Sequence, residues 1–106
     1  MNWTNKEKIA ILKSIGFIIG ADGKIHPNEI KILQGFCNRY GLNIDIAMKE
    51  QDIMSASEMR KIISSMSQSD KQTIKSFWME AMTCDGNVDD REAETIALMM
   101  LDCDIH

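Results

Sequence analysis

Apolar residues recur at three- and four-residue intervals through nearly the whole chain, and strand-like alternation never holds for more than a few positions. That period is helical. Thr4-Asn5-Lys6-Glu7 is a capping box, in which hydroxyl and carboxylate satisfy free amides of a first turn. Behind it Ile11, Ile15, Ile18 and Ile19 make one apolar stripe, predicting an amphipathic helix that stops between Gly20 and Gly23. Pro27 suits the first turn of a second helix, whose buried face is Ile30, Leu33, Phe36, Cys37 and Tyr40, and Gly41 is its natural stop. Asn43 caps a short third helix through Lys49. Ser55-Ala56-Ser57-Glu58 opens a fourth with Met59, Ile62, Ile63 and Met66 inward. Ser69-Asp70-Lys71-Gln72 opens a long fifth with Ile74, Phe77, Trp78, Ala81 and Met82 inward. Asp89-Asp90-Arg91-Glu92 opens the last, with Ile96, Met99, Met100 and Cys103 inward. The expected fold is an all-α compact bundle of about six helices.

The chain repeats itself. Asp22-Gly23-Lys24-Ile25-His26-Pro27-Asn28-Glu29 returns 63 residues later as Asp85-Gly86-Asn87-Val88-Asp89-Asp90-Arg91-Glu92. The same offset sets Ile11, Ile15, Ile18 and Ile19 opposite Ile74, Trp78, Ala81 and Met82. It also sets Leu33, Phe36, Cys37 and Tyr40 opposite Ile96, Met99, Met100 and Cys103. Agreement of core phase on both sides of the loop predicts a duplicated helix–loop–helix unit. Residues 5–40 and 68–103 would then be two halves about a pseudo-twofold axis, within one domain spanning 1–106.

Charge narrows the functional classes. The net charge of −4 argues against a general nucleic-acid binder, which carries a basic face. Residues 80–106 hold eight carboxylates against Arg91 alone, predicting an acidic patch for cations or a basic partner. Glu80, Asp89, Asp90 and Glu94 are its candidate partner-binding residues; the bland alternative is a solvated face. Cys37, Cys84 and Cys103 are odd in number and contain no Cys-x-x-Cys, so no disulfide framework is expected and a reducing cytoplasm is the easier home. Cys103 and His106 are a weak metal pair at an end expected to fray. The apolar run Ile9–Ala21 is interrupted by Lys13 and Ser14 and is too short to span a bilayer, so neither a signal peptide nor membrane insertion is expected.

Asp-Gly-x-Ile-x-x-x-Glu is also the second half of an EF-hand loop. The first half fails, because the leading ligand positions fall on Ile18 and Gly20 in one copy and on Ala81 and Thr83 in the other. No serine or cysteine stands at catalytic spacing from His26 or His106, and no glycine loop suits phosphate, so no catalytic residue is expected.

The loop Asp22–Glu29, preceded by an apolar helix and followed by a second copy, resembles the TerB-like tellurite-resistance domain over roughly residues 4–104. His26 before Pro27 departs from the usual Ser or Thr cap. The resemblance implies divalent-cation binding by acidic loop residues, here Asp22, Glu29, Asp85 and Glu92, with a weakly held Ca²⁺ or Mg²⁺ the one cofactor it suggests. It also implies a place in stress-related systems. The residues permit another role: Glu29 and Glu92 stand at the third helical position, where glutamate folds back onto the cap amide, and Asp22 and Asp85 precede turn glycines.

The function expected is a non-enzymatic module offering an acidic surface to another protein, itself a monomer or homodimer. A purely structural dimerisation domain would expose methionine and tryptophan. A carboxylate-metal hydrolase would need both loops to converge on one centre.

Overall fold

The Thr4 capping box forms as its residue types require. Thr4 Oγ1 accepts from the Glu7 amide at 3.1 Å, and Glu7 Oε1 accepts from the Thr4 amide at 2.8 Å. The computed structural model describes residues 3–20, 27–83 and 90–105, the side chain of Glu92 excepted. These hold α1 Asn5–Ile19, α2 Pro27–Arg39, α3 Ile44–Ile53, α4 Ala56–Ser64, α5 Gln68–Thr83 and α6 Asp90–Asp102, with no strand among the described residues. The all-helical expectation holds.

Helix α1 is the hub, packing against each of the other five. Its stripe is therefore wider than the sequence suggests: Ile9, Ala10 and Leu12 are buried together with Ile11, Ile15, Ile18 and Ile19. Lys8 and Lys13 escape that core by snorkelling. The Lys8 ammonium donates to the Tyr40 carbonyl at 3.0 Å, and Lys13 donates to the Gln51 carbonyl at 2.8 Å. Each cation meets the negative end of a neighbouring helix, where free carbonyls and the macrodipole favour it.

Three local expectations shift. The fifth helix is capped by Ser67 rather than Ser69, with Ser67 Oγ accepting from the Asp70 amide at 3.1 Å. Ser67 and Asp70 have the same capping spacing as Ser69 and Gln72, and Lys71 joins Ile74 on the buried face. Helix α3 continues to Ile53 instead of stopping at Lys49. Ile30 is 45% exposed, because the inner face of α2 is carried by Leu33, Phe36 and Cys37.

The 63-residue offset reaches the helix ends. Helices α2 and α6 span equivalent positions, as do the N-caps Thr4 and Ser67. Gly41 at φ 71° closes α2, with the Leu42 amide donating to the Cys37 carbonyl at 2.8 Å. Asp104 at φ 56° closes α6, with the Ile105 amide donating to the Met100 carbonyl at 2.8 Å. Both are left-handed terminations with the six-residue bond that satisfies a free carbonyl. The end around Cys103 is consequently docked rather than frayed: Cys103 and Ile105 are buried, and Lys71 reaches Asp104 at 3.6 Å.

Candidate functional site

Of the four carboxylates expected to hold a cation, Glu29 alone has a described side chain; Asp22, Asp85 and Glu92 lie outside what is described. Glu29 sits in the first turn of α2 and is only 1% exposed, with a polar or electrostatic contact within the fold. A buried carboxylate requires compensation by amides, a cation or both, so its place at the base of the repeated loop fits a capping role and a ligand role equally. Among the described residues no three His, Cys, Asp or Glu side chains gather as a metal-binding group.

The acidic surface divides in two. Asp102 pairs with Arg60 at 3.6 Å and Asp104 with Lys71 at 3.6 Å, so both are partly neutralised by α4 and α5. Glu80, Asp90 and Glu94 are exposed and enter no ion pair among the described residues. Asp89 lies outside the described residues. Asp90 and Glu94 are four residues apart and share one face of α6.

Cysteine chemistry is muted. Burial raises the Cys37 thiol above its ordinary value, and burial with the neighbouring Asp102 pushes Cys103 up to about 11. Neither supplies free thiolate near neutral pH, and His106, the other half of the C-terminal pair, lies outside the described residues.

Sequence reasoning missed a cleft of about 350 Å³ between α2 and α5. Two parallel rows of α2 line it, Lys31-Gly35-Arg39 and Ile32-Phe36-Tyr40, each spaced by four residues. Phe77 and Glu80 close it from α5, and Ile15 of α1 lies at its floor. The rings interlock, with centroids 4.8 Å apart for Phe36–Tyr40 and 5.7 Å for Phe36–Phe77. Trp3 packs behind them, its ring tilted by 39° with its centroid 5.1 Å from that of Tyr40. That Lys31 and Arg39 lie eight residues apart on one face of α2 was visible in the sequence; that α5 leaves them uncovered was not.

No family model matches the chain, and no curated protein matches it. The described residues form an all-α bundle of six helices, and a crystal structure of a protein of unknown function from Porphyromonas gingivalis W83 has the same fold, with a TM-score of 0.84. The two are 30% identical over 100% of this chain and 88% of the other. The chain belongs to the same family as that protein.

Proposed function

We propose that this chain is a single TerB-like module of two pseudo-twofold-related halves, non-enzymatic, cytoplasmic, and working by association with another protein. The observation that carries this reading is the trio Glu80, Asp90 and Glu94, exposed and free of ion pairs among the described residues while other nearby carboxylates are matched. Unpaired surface charge adds little to stability but speeds capture of an oppositely charged partner. Among the described residues no helix is long and apolar enough to cross a membrane. Pull-down at low and at physiological salt tests the surface, comparing the wild type with a variant combining Glu80→Gln, Asp90→Asn and Glu94→Gln. Loss of basic partners in the variant, greatest at low salt, is expected; identical capture at both salts defeats the proposal.

The repeated loops would hold a divalent cation weakly through Asp22 with Glu29 and Asp85 with Glu92, water completing each shell. Burial of Glu29 supports this, since a carboxylate withdrawn from water gains most from a cation nearby. Chemical-shift titration with Ca²⁺, Mg²⁺ and Mn²⁺ against Asp85→Asn decides it. Equal responses of the two proteins leave helix capping as the role of these carboxylates.

A further inference from the structure

We infer that the cleft between α2 and α5 is a binding site for a small aromatic carboxylate. Its volume of about 350 Å³ lies in the range that takes one small molecule. Phe36, Tyr40 and Phe77 give it an aromatic wall on which a flat ring stacks by offset or edge contact.

The rim chooses the charge. Lys31 and Arg39 both line the opening, both are exposed, and neither enters an ion pair among the described residues. A guanidinium in that state offers a carboxylate two parallel hydrogen bonds without first giving up a partner. Glu80 on the facing helix sets the upper limit. Two cations against one carboxylate leave a net single positive charge, which a monoanion balances and which leaves most of a polyphosphate's charge unmatched.

Gly35 makes the room. It lies between Lys31 and Arg39 on the same row of α2, and a side chain built there meets no atom within 4 Å. Glycine inside a helix is unfavourable relative to most residues, and here its backbone shows no positive φ to require it. What the missing side chain provides is the open space between the two cations.

Naphthoate serves as the probe, followed by amide chemical shifts of the whole chain. Saturable shifts confined to residues 31–40 and 77–80, with movement of the Trp3 indole resonance behind the wall, are expected. Arg39→Gln should weaken binding about tenfold or more, and naphthylmethanol, the uncharged analogue, should bind correspondingly worse than naphthoate. Gly35→Leu fills the cleft with a better helix former, so it should abolish the shifts while helicity by circular dichroism is unchanged. Absence of saturation by low-millimolar naphthoate overturns the inference. So does undiminished binding by Arg39→Gln or by a folded Gly35→Leu, or equal affinity for the alcohol.

Discussion

Lys8 and Lys71 stand 63 residues apart and tie the same place in the two repeats. Lys8 on α1 donates to the Tyr40 carbonyl at the end of α2, at 3.0 Å. Lys71 on α5 pairs with Asp104, the residue that ends α6, at 3.6 Å. In each half a lysine of the first helix holds the close of the second. Lys71 is the more deeply placed, 3% exposed, so its ammonium relies on Asp104 for what water cannot supply. Lys71→Met, which keeps the stem and loses the charge, should cost about 1 kcal/mol, and Lys71→Ala about 2–3 kcal/mol, by urea unfolding. A stabilised Lys71→Met would mean that the buried charge costs more than its partner returns.

The helix stops give a paired test. Gly41 tolerates φ 71° at no steric cost, whereas Asp104 adopts φ 56° against its own Cβ. Gly41→Ala should lower stability by about 1 kcal/mol. Asp104→Gly should relieve backbone strain but release Lys71, leaving a net change smaller than that of Asp104→Ala. Thermal unfolding of the three variants checks the order.

Trp78 is fully buried, and its indole N–H donates to Ser14 Oγ at 2.8 Å, which in turn donates to the Ile11 carbonyl at 2.6 Å. The offset pairs Ser14 with Phe77 and Ile15 with Trp78, so this bond is private to the contact between α1 and α5. Ser14→Ala strands a buried donor and should cost about 1–3 kcal/mol. Ser14→Ala combined with Trp78→Phe should cost less than the sum of the single changes. Additivity in that cycle would show that the bond contributes nothing.

Alkaline pH should unfold the protein through its thiols. Cys103 titrates at about 11 when folded, against 9.0 for an ordinary thiol, and burial shifts Cys37 in the same direction. The folded state therefore holds protons that the unfolded chain releases. Their contribution is complete below pH 9 and is lost as pH climbs toward 11. Urea midpoints measured from pH 8 upward should fall steadily through that window, and Cys103→Ala should flatten the fall. The same burial predicts slow thiol labelling of Cys37 and Cys103 until denaturant is added.

Superposing residues 5–40 on 68–103 should require a rotation close to two-fold. The shared helix bounds, N-caps, left-handed stops and lysine ties motivate that expectation. Halves that cannot be overlaid at the 63-residue offset would reduce the repeat to a likeness of sequence.

The sequence by itself determined the helices and their joints, because each rests on local chemistry. Thr4 with Glu7, Asn43, Ser55 and Gly41 act within four or five residues of themselves, and a period near 3.6 sorts inner from outer positions. Five of the methionines, at 54, 59, 66, 82 and 99, are buried as their spacing requires, and Trp3 and Trp78 are buried too. The exposed methionine and tryptophan expected of a dimerisation surface are thus reduced, among the described residues, to Met79 at 42%. The tertiary structure alone decided the rest. Ile30 looks like core in the sequence but is 45% exposed, since periodicity says which residues share a face and not whether a neighbour arrives to cover it. For the same reason Ile9, Ala10 and Leu12 are core only because α1 is surrounded on all sides. The pairing of Asp102 and Asp104 with Arg60 and Lys71, and the cleft that brings Glu80 of α5 to the same rim as Lys31 and Arg39 of α2, depend on helices more than 30 residues apart meeting at particular angles. No local rule encodes that meeting; it follows from how the whole set of apolar faces closes around α1.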